Sequence, residues 1–300
     1  MILDAPLRRS TIVTFPDGAV CGEGQVLFAV LAADRPGYAY VVTDRTPMHP
    51  VSFLWPDQPA DTGHIAAPDG DIYPVVNVLT GAVRDRDGTL LLGDAAAVLK
   101  RSGDAWHAVA VHIIRCEGSR RPEALLGRTV ALHADPERRH RLSVHHTAVH
   151  LSALALNRTT AGCWTKPPPA TDAFGQPDFD RCALTSAAIS LSGSADTYRM
   201  GKSLRKKGID RDRVLAGLDG IREAVNATVD EWLRHPAAVT LDPREGPLDA
   251  RRCWTCDLPP GRAVMPCGGT HVRHLGQLGR VVISLEAEED GFVMRTSAGH

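Results

Sequence analysis

Two pairs of residues with metal-binding side chains stand far apart in this chain, each with a four-residue spacing. His146 and His150 lie in VHHTAVHLSALALN, and Cys267 and His271 lie in PCGGTHV. Residues four apart share one face of a helix, so two histidines spaced in this way can bind a single metal ion. Imidazole nitrogens and a thiolate in tetrahedral geometry suit zinc. The four residues therefore predict a His3Cys site for Zn²⁺.

The helix that carries the first histidine pair has clear start signals. Asp135 can cap its amino end, Pro136 suits the first helical position, and Glu137 suits the positive end of the helix dipole. Apolar residues recur at helical spacing on or beside the histidine face, at Leu142, Val149, Ala153 and Leu156. We therefore expect the histidine pair to point inward, towards a partly buried site.

These motifs resemble those of a known family. HTAVH followed by CGGTH is similar to the metal motifs of the alanyl-tRNA synthetase editing domain and of its free-standing AlaX-type relatives, which are aminoacyl-tRNA deacylases. DPERRHRLSVHHTAVHL resembles the family's lead-in to its first motif, and DRTPMHP followed by DQPADTGHI resembles the family's DRTPFYPEGGGQPADTG. The stretch LGRVVISLE, continuing to about Arg295, is also similar. The resemblance thus touches both ends of the chain.

The resemblance implies a function in translation fidelity. The chain would hydrolyse, in trans, the ester between an amino acid and a mischarged tRNA: Ser or Gly on alanine tRNA, or a threonine analogue on threonine tRNA, as in a fluorothreonyl-tRNA deacylase. Thr46 and Gln58 match family positions that face the substrate. Zn²⁺ would activate water or hold the substrate, and the backbone amides of Gly268 and Gly269 are candidate oxyanion donors.

One loop departs from the family pattern. Val51–Asp57, reading VSFLWPD, replaces a Gly-rich turn and is about three residues longer. Phe53 and Trp55 are bulky, so they either reshape the amino-acid pocket or pack as a hydrophobic plug between the barrel and the second domain. The sequence therefore leaves the identity of the amino acid open.

Composition is typical of a globular protein with a hydrophobic core. The 300 residues are 43% hydrophobic and 23% charged, with a net charge of −1. No apolar run approaches the length of a membrane span, and MILDAPLRRSTIV lacks the features of a signal peptide. Seven cysteines without a secretion signal indicate reduced thiols, so we expect a cytoplasmic protein with no membrane partner.

The neutral total charge gives no indication of DNA binding, so contact with the acceptor end of tRNA needs a local basic surface. Such a surface is predicted in the basic run between residues 199 and 213, although many charge runs are only solvated. Phosphate contacts are assigned to Arg199, Lys202, Arg205, Lys206 and Lys207. The sequence does not indicate an oligomeric state.

The predicted fold class is α+β, with a small β-barrel at residues 1–133 and an α/β editing domain with an antiparallel sheet and the zinc site at 134–300. Short apolar runs between turn signals predict the barrel strands Thr11–Thr14, Gln25–Val30, Tyr38–Thr43, Tyr73–Leu79, Thr89–Leu92 and Ala108–Ile114. The second domain is predicted to contain a helix at Asp210–Arg234 and strands at Arg181–Leu191, Ala237–Leu241, Arg262–Met265, Val281–Glu286 and Phe292–Thr296.

The sequence leaves open one alternative metal site and two alternative functions. Cys253 and Cys256 form a CxxC that could join Cys267 and His271 in a structural Cys3His zinc site. The chain could also be a zinc hydrolase of a small aminoacyl ester or amide that does not bind tRNA, which its neutral charge favours. A third alternative is a non-catalytic module that binds charged tRNA.

Overall fold

The computed structural model describes residues 9–53, 56–93, 95–97, 103, 105–116 and 121–299. Leu54 and Trp55 of the atypical loop lie outside these residues. The chain forms two compact units. The first contains the described residues of Met1–Arg139, Asp242–Arg252 and Gly268–Thr270. The second contains the described residues of His140–Leu241, Cys253–Cys267 and His271–His300.

Six strands of the first unit close into an antiparallel barrel. The strands along this part of the chain are β1 (Ile12–Val13), β2 (Cys21–Leu31), β3 (Tyr38–Thr43), β4 (Arg45–Thr46), β5 (Gly63–Ala66), β6 (Ile72–Arg84), β7 (Leu90–Leu92), β8 (Trp106–Arg115) and β9 (Thr129–Ala134). Hydrogen bonding runs from β5 through β9, β2, β3, β8 and β6, and returns to β5. The predicted barrel is therefore confirmed.

Alternating side chains of these strands fill the barrel, as the two-residue period of a strand requires. Its buried residues include Val26, Val41, Ile65, Val75, Ile114 and Leu132. The barrel closes through Gly63, whose φ is +156° and where a Cβ atom would overlap the carbonyl oxygen of His133. Only glycine fits there, because the strands approach too closely for a side chain.

The sequence predicted most of the barrel strands but missed two. Tyr38–Thr43 has the predicted bounds, and the longer observed strands extend the predicted runs. The missed strands, β5 and β9, are short and carry polar residues among the apolar ones, including His64 and His133 at partnered positions. Their pattern is too brief to distinguish from a loop.

A buried ion pair fixes the loop between β4 and β5. The Arg139 guanidinium pairs with the Asp61 carboxylate, and both side chains are almost completely buried. The same guanidinium donates to the carbonyls of Ala19 at 3.0 Å and Pro47 at 2.8 Å. Asp61 also accepts the backbone N–H of His49 at 2.6 Å. Both ends of the loop are thus tied to one arginine.

The remaining elements begin with a long helix. The helices are α1 (Pro136–Thr160), α2 (Phe179–Ala183), α3 (Lys202–Lys206), α4 (Arg211–Ala216) and α5 (Leu218–Leu233). The strands are β10 (Leu184–Ser190), β11 (Gly193–Arg199), β12 (Val239–Asp242), β13 (Gly246–Pro247), β14 (Cys253–Leu258), β15 (Gly261–Pro266), β16 (Arg280–Glu288) and β17 (Gly291–Gly299). An antiparallel sheet runs in the order β10, β11, β17 and β16, and β14 pairs with β15.

Helix α1 is the centre of the second unit's core. Its predicted cap is confirmed, because the Asp135 carboxylate accepts the N–H groups of Glu137 at 3.0 Å and Arg138 at 3.1 Å. No residue from Leu142 to Asn157 is exposed, so the predicted apolar stripe is only part of a buried surface that covers every face. Within the described residues, no helix combines the length and the apolar character needed to cross a bilayer.

Two predicted elements of this unit were wrong in part. The strand predicted at Arg181–Leu191 starts only at Leu184, because the preceding residues form helix α2, which Asp178 caps. The helix predicted at Asp210–Arg234 is broken at Gly217, whose N–H donates to the carbonyls of the turn before it and ends α4. The missed strands β11 and β14 contain several polar residues, so neither shows a clear apolar run.

We expect Asp61→Asn to lower the free energy of unfolding by about 3–5 kcal/mol, because it leaves the Arg139 guanidinium buried without its counter-charge. Urea denaturation measures the difference. Glu286→Gln is the control, since it disrupts an exposed ion pair with Arg295 and should cost no more than about 1 kcal/mol. Equal losses in the two variants would contradict this account of the buried pair.

Candidate metal centre

Two elements of the second unit bring the four predicted ligands together. Helix α1 presents His146 and His150 one turn apart, and strand β15 ends at Pro266, directly before Cys267. Gly268–Thr270 follow, and His271 then lies close to Cys267 again. One potential ligand atom from each side chain lies within 4.8 Å of the others, so this group could hold a metal ion.

The shortest distances in the group agree with tetrahedral coordination. Cys267 Sγ lies 3.5 Å from His146 Nε2 and 3.2 Å from His271 Nε2. Bond lengths of roughly 2.0–2.1 Å to nitrogen and 2.3 Å to sulfur give a nitrogen–sulfur separation of roughly 3.6 Å at a tetrahedral angle. The side chains therefore need to move little to bind one ion.

The burial of the site favours neutral imidazoles. His146 is buried, and the other three residues are half-buried. Burial lowers the pKa of His150 to about 4, so its ring is neutral at pH 7 and has a lone pair for a metal. Its Nδ1 is buried and has no hydrogen-bond partner among the described residues, so no described group competes with a metal ion for that atom.

An aromatic side chain that was not predicted from the sequence lies beside the site. Trp254 is fully buried, and its ring centroid lies 4.9 Å from that of His150 and 6.2 Å from that of His271. An apolar wall lowers the local dielectric constant and strengthens the interaction between an ion and its ligands. The only signal in the sequence was the position of this residue inside the CxxC.

The structure does not support the alternative site based on that CxxC. Cys253 and Cys256 lie three apart on strand β14, so their side chains point to opposite faces. Burial raises the pKa of Cys256 to about 12, whereas a metal ligand must be a thiolate. Neither residue belongs to the metal-binding group found in the described part of the chain.

Gln58 pairs with the turn that lies between Cys267 and His271 in the sequence. Its Nε2 donates to Thr270 Oγ1, its Oε1 accepts the Thr270 N–H, and both distances are 2.9 Å. Gln58 and Thr270 both belong to the first unit. The carboxamide therefore fixes the backbone next to a ligand residue, and its predicted contact with substrate stays a prediction.

Thr46 is fully buried in the first unit and has internal hydrogen-bond partners. His112 Nδ1 lies 3.1 Å from the Val41 carbonyl, which can only accept, so His112 Nε2 accepts from the Thr46 hydroxyl at 2.9 Å. Burial lowers the pKa of His112 to about 4 and keeps that nitrogen unprotonated. The hydroxyl also accepts the Met48 N–H at 3.1 Å. The predicted substrate contact of Thr46 stays a prediction.

Phe53 of the atypical loop packs on the side of the barrel. It packs against a small cluster formed by the buried residues Ala82 and Ala96, both in the first unit. These contacts lie within one unit, and Trp55 lies outside the described residues, so both interpretations of the loop stay predictions.

The two predicted oxyanion donors differ in exposure: Gly268 is exposed, and Gly269 is buried. Neither N–H has a protein acceptor among the described residues. At Gly268 the backbone φ lies outside the left-handed region, and an added Cβ would meet no atom within 4 Å. The fold itself therefore does not require a glycine at this position, which leaves open space next to Cys267.

The residues predicted to bind phosphate are all exposed on the second unit. They are Arg199, Lys202, Arg205, Lys206 and Lys207, which we call the basic surface. None of the five forms an ion pair within the part of the chain that the structure describes. The later arginines of the run differ, since Arg211 donates to the Glu289 carbonyl and Arg213 donates to the Gly162 carbonyl.

In comparisons with known proteins, no family model and no curated protein matches the chain. The resemblance to the editing family therefore remains a hypothesis.

We expect the protein to bind one Co²⁺ ion with a thiolate-to-metal absorption band in the near ultraviolet, because Cys267 is a ligand. Cys267→Ala should abolish the band and weaken binding at least about 100-fold, since one of four ligand bonds is lost. Cys253→Ser is the matched control and should bind like the wild type. A band that disappears in Cys253→Ser would restore the CxxC alternative.

Proposed function

We propose that this protein is a zinc-dependent aminoacyl-tRNA deacylase that acts in trans on mischarged tRNA. The observation that carries the proposal is the convergence of His146, His150, Cys267 and His271 within 4.8 Å. Three nitrogen ligands and one thiolate suit Zn²⁺ better than the hard cations, which prefer oxygen. The motifs around these residues resemble those of the editing family, which supplies the substrate class.

Ester hydrolysis needs an attacking water and a group that stabilises the negative charge on the carbonyl oxygen. A bound Zn²⁺ supplies a Lewis acid that polarises a carbonyl or lowers the pKa of water to about 7. His146, His150, Cys267 and His271 would hold the ion, and if all four were bound, direct contact with a substrate would need a further coordination position or the release of one ligand.

The turn after Cys267 supports a role in charge stabilisation. The N–H groups of Gly268 and Gly269 have no protein acceptor among the described residues, so they are available to an oxyanion. The open space at Gly268 also suits the close approach of an ester group. We propose that these amides bind the carbonyl oxygen as it becomes negative.

The basic surface supports tRNA as the carrier of the ester. Its five side chains are exposed, and they form no ion pair with the described acidic residues, so their charge is available to phosphates. Hydrolysis of a small ester does not require such a surface, whereas binding to tRNA phosphates does. This observation favours tRNA over a small-molecule substrate.

The proposal is tested by deacylation of tRNAs charged with Ser, Gly, Ala, Thr or a threonine analogue. We expect the zinc-loaded wild type to release one of these amino acids rapidly. Cys267→Ala should lower kcat/KM at least about 100-fold, because the Lewis acid supplies several kcal/mol of charge stabilisation. Cys253→Ser should keep full activity.

A zinc-loaded wild type that releases no amino acid from any of these tRNAs would contradict the proposal. The same samples then test the two alternatives. Release from small aminoacyl esters would indicate a small-molecule hydrolase, and retention of charged tRNA without release would indicate a binding module.

We expect the double variant Lys202→Ala/Arg205→Ala to weaken tRNA binding and to make it less dependent on salt. Each lost phosphate contact should reduce the slope of log K against log salt by about 0.7–0.9. Arg295→Ala is the control, because that exposed arginine already pairs with Glu286. An unchanged slope in the double variant would exclude these residues from the tRNA interface.

A further inference from the structure

Thr147, between the two ligand histidines of α1, contacts a third ligand. Its Oγ1 lies 3.1 Å from His271 Nδ1, and both residues belong to the second unit. The same oxygen lies 2.8 Å from the Ser143 carbonyl oxygen, one helical turn earlier, and accepts the Val272 N–H at 3.2 Å. Thr147 is fully buried, so these three groups are its polar environment.

The chemistry of these groups determines which atom donates in each contact. A threonine hydroxyl has one hydrogen and two lone pairs. The Ser143 carbonyl can only accept, and the Val272 N–H can only donate. The Thr147 hydroxyl therefore donates its hydrogen to the Ser143 carbonyl, which is its shortest contact. One of its lone pairs accepts the Val272 N–H. The second lone pair is left for His271, whose Nδ1 must then carry a hydrogen.

A hydrogen on Nδ1 leaves a lone pair on the Nε2 atom of His271. That atom lies 3.2 Å from Cys267 Sγ, where the ligand atoms converge. A neutral imidazole binds a metal through the nitrogen that has no hydrogen, and the hydrogen bond of the other nitrogen selects the tautomer. We propose that Thr147 is a positioning residue that holds His271 in the tautomer and orientation required for metal binding.

This proposal rests on the metal centre of the proposed function but not on hydrolysis. Thr147 is fully buried, and its proposed role is exerted only through His271. The bond from Val272 adds to this role, because it fixes the backbone directly after the ligand. One hydroxyl thus connects helix α1, which carries His146 and His150, to His271 and the residue after it.

Zinc affinity of three variants tests the proposal, with Zn²⁺ alone as the probe and competition against a chromophoric chelator as the measurement. Thr147→Val keeps the shape of the side chain but removes its hydroxyl. Thr147→Ser keeps the hydroxyl and removes only the methyl group. Thr160→Val is the matched control, because Thr160 is equally buried and donates to the carbonyl four residues earlier at 2.8 Å. We expect Thr147→Val to bind about 10–100-fold more weakly, and the other two to stay within about threefold of the wild type.

Wild-type affinity in Thr147→Val, or an equal loss in Thr160→Val, would overturn the proposal. Nitrogen-15 NMR of the metal-free wild type provides a test that needs no variant. We expect His271 to carry its hydrogen on Nδ1, and a hydrogen on Nε2 would overturn the assignment. Failure of the proposed function is seen separately, as the absence of amino-acid release by a wild type that binds zinc.

Discussion

The burial of helix α1 on every face between Leu142 and Asn157 is the constraint on which the core of the second unit depends. A buried helix can keep polar side chains only if each finds a partner, because an unpaired polar group costs about 1–3 kcal/mol. Ser152 and Thr147 both donate to carbonyls of their own helix. His146 Nε2 instead lies 3.5 Å from Cys267 Sγ. His150 Nδ1 is buried without a partner among the described residues, so a metal ion could occupy its lone pair.

The same constraint explains why the ligands come from distant parts of the sequence. A helix supplies only two neighbouring ligands on one face, and the other two must arrive on a separate element. Cys267 directly follows strand β15, and His271 follows Cys267 after three residues. Gln58 holds Thr270 through two hydrogen bonds, so the backbone directly before His271 is fixed.

The sequence predicted the ligand set and the barrel because both leave local patterns. The four-residue spacings are visible without any fold, and the barrel strands have regular apolar runs. Thr147 could not be assigned from the sequence, because its role depends on a contact with His271, 124 residues away. Strand β14 was missed because its polar residues interrupt any clear apolar run. The proximity of Trp254 to the ligand rings depends on the fold and could not be read from the sequence. The break at Gly217 depends on a single residue inside an otherwise continuous helical pattern.

X-ray absorption at the zinc edge of the metal-loaded protein tests the central claim most directly, because it counts the atoms around the ion. We predict one sulfur at about 2.3 Å from the zinc ion and three nitrogens at about 2.0–2.1 Å from it. A shell with two or more sulfurs, or with none, would contradict the assignment of His146, His150, Cys267 and His271 as the ligands.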